Sequence, residues 1–499
     1  MSNSGKYNLT DTSILLTMTS TLQTFVGLAT SVIAVRYLSK PSYGSYLQVM
    51  FLVNVITMVL TFGMPRSIYY FMPRVINRRK FVFHSYFILN ILGLIAFIII
   101  FFGKNTINTL LYNNDMMLVG LGFLGWYIFL SSNGQIYVSV LLSNNNGKTV
   151  ALTNVLFSVL SFIVITTPLF LGMGLRGVFW GIFLRYIVGY VVKGFVALKS
   201  TVGDLSEITC SECLPEQIKY VLPLGLISLV ALFASSIDRI IITLFMNIED
   251  FAHYDRGAMQ IPIISTLSIT VGAVIMPKLV DYYKNANIKD FLHLWHQSIK
   301  KVALIVFPSF IFLMICARQI ITFLYTERFE DSVIIFQTYL FVLPLSITIF
   351  GNVFSAANKN IYLLYMQIGS VLLNAFLSVL MVKAYGSIGP AGATVIMRAA
   401  LFTSSIIAIR FILNVQLKNI FPWRFLSKLM GCSVVSGIIP FCIVHLIDLS
   451  NYLLLMICFP IYLLSYYLIT DRCSIINDDD KQTILKWTGI RWVKKQMSI

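Results

Sequence analysis

Charge is scarce in this sequence: Asp, Glu, Lys and Arg supply 11% of its 499 residues, whereas a soluble globular domain carries about a quarter. That shortage excludes an ordinary water-soluble protein. Histidine is rarer still, at five residues. His84 and His445 fall near opposite ends of apolar runs, and His293 and His296 share a polar loop, so no histidine, serine and acid constellation can be assembled. Of seven cysteines, most lie inside apolar runs, and Cys210 and Cys213 form a C-x-x-C without two further ligands at zinc spacing. Reduced thiols are expected, with no metal and no cofactor. Gly147-Lys148-Thr149 imitates the end of a phosphate-binding loop, but Leu142 stands where the leading glycine is required. No cleavable signal peptide is expected, because Met1 to Asp11 is polar, almost uncharged and followed by no small-residue cleavage motif. The first apolar run is expected to remain as an anchor.

What is present is apolar sequence, 58% of the chain with a strongly positive mean hydropathy. Runs of about 20 residues recur along nearly the whole length, each able to cross a hydrocarbon core as a helix whose backbone bonds are satisfied internally. About fourteen spans are expected, from Ile14 to Leu38 at one end to Tyr452 to Ile469 at the other. The fourth covers Met117 to Leu142, the eighth Met259 to Met276 and the tenth Ile334 to Phe354. The fold class is an all-α polytopic membrane protein.

The net charge of +17 sits in short loops rather than on one face, which argues against nucleic acid as a partner. If the N-terminus is cytoplasmic, about 26 of the 37 Lys and Arg residues lie on the cytoplasmic side, as the positive-inside rule requires. The heaviest clusters are Arg74, Arg78, Arg79 and Lys80, then Lys278, Lys284, Lys289, Lys300 and Lys301. Both termini are therefore expected inside, with the basic loops against anionic membrane lipids. From Asp480 onward, Ile484, Trp487, Ile490, Trp492 and Val493 alternate with Lys486, Arg491, Lys494 and Lys495. That pattern suits a helix lying on the inner leaflet, or a partner-binding tail.

An internal duplication organises the spans. At an offset of about 212, Ser143, Asn146, Ser158, Gly174 and Gly177 fall on Ser355, Asn358, Ser370, Gly386 and Gly389. The offset encloses six spans, so the two halves run parallel and are related by an axis normal to the membrane. The expected organisation is a six-helix bundle over 10–200, a second over 215–413, two further spans over 425–470 and a cytoplasmic amphipathic tail over 471–499. Tyr37, Tyr43 and Tyr46 after span one match Phe245, Phe251 and Tyr254 after span seven. Arg185 and Arg398 follow the second glycine of each half at nearly the same distance, which places them across a central path from each other.

A charge inside a span costs on the order of 2.5–3.5 kcal/mol on insertion scales, which singles out Arg185, Asp238, Arg239 and Arg398. In the simpler reading, Asp238 neutralises Arg239 or another arginine as a buried pair fixing helix register. In the functional reading, three arginines and one carboxylate leave a cationic cavity between the halves, suited to phosphate or carboxylate. Arg36 and Arg66 would extend that surface, or snorkel to the interface. Asp238, the acid placed deepest, is the leading candidate for coupling to a Na+ or H+ gradient. Ser131, Ser132, Asn133, Gly134 and Gln135 put a polar break in span four, and their repeat positions, Leu343 to Ile347, include Pro344 in span ten. Paired breaks suit a binding region or hinge, and also plain polar helix packing. Asn133 and Gln135 join the candidate binding residues.

Four segments carry a resemblance: Arg36-Tyr-Leu-Ser-Lys-Pro-Ser-Tyr-Gly44, Gly63-Met-Pro-Arg66, Ile237-Asp238-Arg239-Ile240 and Gly386-x-x-Gly389-x-Ala391-Gly392-Ala393. In order and spacing, the chain resembles the polysaccharide-transporter branch, including Wzx-type O-antigen flippases, of the multidrug, oligosaccharidyl-lipid and polysaccharide (MOP) exporter superfamily. The resemblance implies two parallel six-helix repeats plus two helices in a MATE-like V-shaped bundle. It implies a flippase, not an enzyme, of the bacterial cytoplasmic (inner) membrane. That flippase would carry undecaprenyl-diphosphate-linked oligosaccharide to the outer leaflet, with Arg185, Arg239 and Arg398 contacting diphosphate or acidic sugars. A polysaccharide polymerase and chain-length proteins would be its protein partners. The His253-Tyr254-Asp255-Arg256 segment departs from the family in being unusually charged. The competing functions are a cation-coupled drug antiporter of the same superfamily, disfavoured by the arginines, and a membrane polysaccharide polymerase, disfavoured by the short external loops.

Overall fold

Apolar runs without internal partners for their backbone groups can only be helical in a membrane, and a computed structural model of the chain is built almost wholly of helices. It describes residues 9–112, 114–203, 214–259 and 261–475. Cys210, Cys213 and the amphipathic tail from residue 476 lie outside the described residues. In chain order the helices are α1 Leu9–Tyr37, α2 Lys40–Thr61, α3 Met64–Phe71, α4 Arg78–Ile107, α5 Asp115–Ser131, α6 Gly134–Ser143, α7 Gly147–Phe170 and α8 Gly174–Lys199. They continue with α9 Leu214–Phe245, α10 Ile248–Gly257, α11 Pro262–Lys284, α12 Ile288–Ile315, α13 Ala317–Tyr325, α14 Ser332–Leu340, α15 Val342–Leu345 and α16 Phe350–Ala356. The last are α17 Asn360–Tyr385, α18 Ile388–Leu413, α19 Leu417–Ile420, α20 Trp423–Leu446 and α21 Asn451–Arg472. No strand occurs among the described residues.

Thirteen helical segments among the described residues are long and apolar enough to cross a membrane. The 23-residue α11 occupies the position expected for the eighth span. The protein is thus a multi-pass membrane protein of the expected class. Local signals set several helix starts: the Asn77 and Asn114 side chains accept from the backbone N–H of Lys80 and Met116 at 3.0 and 2.9 Å.

The chain divides into two compact units, Met1–Arg256 with Val371–Pro390, and Gly257–Ser370 with Ala391–Ile499. In the first, Ile68, Phe81, Val82, Ile136, Tyr137 and Leu141 form a buried core. α9 packs onto α2 and α3 within this unit. There Tyr220 stacks on Tyr70 with ring centroids 4.5 Å apart, and the fully buried Gln217 donates to Ser67 and Ser85 at 2.9 and 3.1 Å. In the second unit the core gathers Phe291, Trp295, Ile299, Phe354, Ile409 and Phe421.

The duplication is visible in backbone geometry. Gly174 and Gly386 have φ of 60° and 59°, a left-handed conformation that glycine adopts without strain. In the preceding loops the left-handed residues are Asn145 and Asn358, both at φ 55°. The structure therefore pairs Asn145, rather than Asn146, with Asn358. A hydrogen bond closes each loop at 2.8 Å, from the Asn146 and Lys359 N–H groups to the Leu141 and Phe354 carbonyls. The turn's demand for a left-handed residue sets that register, and asparagine tolerates it well.

Candidate functional site

Span four breaks between α5 and α6, and span ten between α15 and α16, the two places where the polar run and Pro344 predict interruptions. Ser132 and Asn133 fill the first break and are buried, at 0% and 4% exposure. Ser346 to Ile349 form the second. Each break walls a cavity, and each cavity contains the arginine that the repeat puts on the last helix of its half.

In the first unit the cavity holds about 70 Å³, lined by Asn133, Gly134, Arg185, Tyr186, Tyr190 and Lys193. Arg185, Gly189 and Lys193 recur every four residues on α8, so one helix face presents both cations to the broken span. The Arg185 guanidinium lies 5.3 Å from the Tyr186 ring and the Lys193 ammonium 4.7 Å from Phe157. Neither cation has a carboxylate at ion-pair distance among the described residues. Asn133 donates through Nδ2 to Asn90 Oδ1 at 2.8 Å, and the Tyr190 hydroxyl donates to the same oxygen at 3.0 Å. The Asn133 Oδ1 is buried without a partner. Gln135, by contrast, is exposed on α6.

A second cluster in this unit joins α9 and α10 to α1 and α2. Asp238 is buried, accepting from the Tyr254 hydroxyl at 2.7 Å and from the Arg239 backbone N–H at 2.8 Å. The ion pair of Arg239 is with Asp255, at 2.8 Å, and Arg256 shares the same carboxylate. Arg256 also donates to Ser31 Oγ at 2.7 Å, and that hydroxyl is bonded to Tyr43 at 2.6 Å. The simpler reading has Asp238 neutralising Arg239 or another arginine; the Arg239 side chain is at ion-pair distance from Asp255, while Asp238 accepts from the Tyr254 hydroxyl and the Arg239 backbone N–H.

In the second unit a larger cavity of about 400 Å³ contains Arg398, Ser268, Tyr339, Thr348, Gln367 and Phe402 in its lining. The non-helical stretch is held open by side chains: Trp295 Nε1 donates to Thr348 Oγ1 at 3.0 Å and Ser268 Oγ to the Ser346 carbonyl at 2.9 Å. The Arg398 Nε is buried without a hydrogen bond, and no carboxylate pairs with Arg398 among the described residues. Arg36 and Arg66 stand apart from these cavities. Both are exposed, and Arg36 donates to the Val32 carbonyl of its own helix at 2.7 Å.

Residues 33–334 match the family described as polysaccharide biosynthesis protein. The chain belongs to that family. The chain also shares its fold with solved transporters. It aligns with lipid II flippase MurJ in an inward closed conformation at a TM-score of 0.71 and 17% identity, covering 92% of this chain and 99% of the other. An inward-facing multidrug resistance MATE family transporter of the MOP superfamily aligns at 0.60 and 14%, covering 81% and 98%. A MOP superfamily transporter from Pyrococcus furiosus, described by the reverse polarity of its binding pocket, aligns at 0.53 and 16%, covering 81% and 95%. At these identities the likeness establishes the fold alone, one shared with the flippase and MATE transporter structures. No curated protein matches the chain.

Of the residues expected at the site, the structure brings Asn133 and Arg185 into one cavity and puts Arg239 in an ion-pair network. Arg398 lies in a cavity of the other unit. Sequence reasoning missed Lys193, and it noted Asp255 and Arg256 only as an unusually charged segment, not as partners of Arg239. The four-residue spacing from Arg185 to Lys193 was a usable signal. Nothing local marks Asp255 as the partner of Arg239, because their pairing depends on how α10 packs.

Proposed function

We propose that this protein is a flippase that moves undecaprenyl-diphosphate-linked oligosaccharide from the cytoplasmic to the outer leaflet of the bacterial inner membrane, with both termini cytoplasmic. One observation carries the reading: each unit holds an arginine without a carboxylate partner among the described residues, in a cavity walled by an interrupted span. An unpaired guanidinium in a span is costly unless a ligand compensates it, and it binds phosphate or carboxylate bidentately. In the first unit, Arg185 and Lys193 hold an oxyanion of the diphosphate in a space of about 70 Å³. In the second, Arg398 works in a cavity large enough for a sugar, with Phe402 as an apolar wall and Ser268, Gln367 and Thr348 as hydrogen-bonding partners. The family, and the likeness to a lipid II flippase, support this substrate class.

Arg239 has a supporting role on this reading, since Asp255 already neutralises it. Asp238 remains the residue through which a Na+ or H+ gradient would couple, and coupling there requires release of the Tyr254 hydroxyl. The reading is tested by reconstituting the protein in liposomes with a fluorescent undecaprenyl-diphosphate oligosaccharide. Protein-dependent loss of inner-leaflet label is expected. No movement of any diphosphate-linked glycan, together with export of lipophilic cations, would replace it with the antiporter reading.

A further inference from the structure

A third cavity, sharing no lining residue with the Arg398 cavity of the same unit, lies where two membrane-spanning helices end. It holds about 400 Å³ in the second unit, and Met314, Arg318, Gln319, Gln337, Phe441 and His445 are among its lining residues. Met314 is in the last turn of α12 and His445 in the last turn of α20. Two spans stopping together put the cavity at the level where hydrocarbon gives way to lipid headgroups.

Its polar groups are of a particular kind. Gln319 is 6% exposed and its Oε1 is buried with no hydrogen-bond partner. An amide can be turned about its axis, but in either orientation the protein leaves one of its polar atoms unmatched. His445 Nδ1 is 2.9 Å from the Phe441 carbonyl. A carbonyl only accepts, so Nδ1 carries the proton and Nε2 of the neutral ring is an acceptor. Arg318 is an exposed cation whose charge is balanced by Glu330 at 2.8 Å. The cavity thus combines a guanidinium, the buried and unpartnered Gln319 Oε1, a second acceptor on the exposed His445 ring, and no net charge. From it an apolar stripe runs down α20: Phe441, Ile438 and Val434 share one helix face and are 50%, 54% and 49% exposed.

We propose that this cavity is a lipid site that seats the headgroup of an ethanolamine phospholipid. The phosphate accepts from Arg318, the ammonium donates to Gln319 Oε1 and His445 Nε2, and an acyl chain lies along Phe441, Ile438 and Val434. A zwitterion matches the balanced charge, and its N–H groups supply donors to the two acceptors. Choline phospholipid has the same charges and no N–H donor, so it is the discriminating control.

The test is native mass spectrometry of the full chain released from nanodiscs of equal phosphatidylethanolamine, phosphatidylcholine and phosphatidylglycerol content. Ethanolamine lipid should be retained over choline lipid by about fivefold or more, the ratio that one hydrogen bond contributes. Gln319→Leu, which keeps the volume, and His445→Phe, on an exposed side chain that leaves folding undisturbed, should each bring that ratio towards one. Equal retention of the two lipids, preference for the glycerol headgroup, retention of none, or an unchanged ratio in both variants would overturn the proposal. The result is independent of which glycan is transported, so it stands or falls separately from the flippase reading.

Discussion

Asp255 lies between two guanidiniums, those of Arg239 and Arg256. Replacing it with asparagine removes the carboxylate that both guanidiniums share, and breaking a buried pair by removing one partner costs about 3–5 kcal/mol. Because Arg239 is 27% exposed, the lower end of that range applies. Asp255→Asn should therefore lower the thermal unfolding temperature in detergent markedly. Asp238→Asn retains an acceptor for Tyr254 and should cost only about 1 kcal/mol. A fully stable Asp255→Asn protein would contradict the network as described. Arg185 and Lys193 behave in the opposite way, since neither leaves an anion behind. Arg185→Gln should leave unfolding unchanged or raise its temperature while reducing glycan translocation about tenfold, the equivalent of one lost charge-assisted contact. The sequence marks Arg185 and Arg398 because hydropathy exposes any charge in a span. It hides Lys193, which near a span end reads as an ordinary snorkelling cation.

At the scale of elements, the interruptions in spans four and ten were legible because local chemistry causes them. Polar residues compete for backbone hydrogen bonds and Pro344 removes a donor. The turns before α8 and α18 are similar in kind, being set by Gly174 and Gly386. Alanine at Gly174 meets no atom within 4 Å, so only its backbone conformation resists the change. Gly174→Ala should destabilise by about 1 kcal/mol, read by thermal unfolding. Gly194, helical and equally unobstructed, should instead be stabilised by about 1 kcal/mol on the same substitution. Equal effects at the two sites would contradict the assigned turn. The single-residue register difference at Asn145 and Asn358 was not legible, because matching identical residues does not say which one the turn forces into the left-handed region. Likewise α9 heads the second repeat in sequence yet packs with the first unit, through Gln217 and Tyr220, contacts made between distant segments.

For the whole molecule, composition and apolar periodicity were sufficient to establish a multi-pass helical protein, and motif order was sufficient for the family. Each unit has a broken span and an arginine, and the two cavities differ in volume, about 70 Å³ with two cations against about 400 Å³ with one. The central claim is that these unpaired arginines hold the anionic groups of a lipid-linked glycan. Equilibrium binding of an undecaprenyl-diphosphate oligosaccharide to the purified protein, its Arg185→Gln and Arg398→Gln variants and the double variant tests it most directly. The account predicts about tenfold weaker binding for each single variant and roughly the product for the double, with folding intact. Unchanged affinity in the double variant would contradict it.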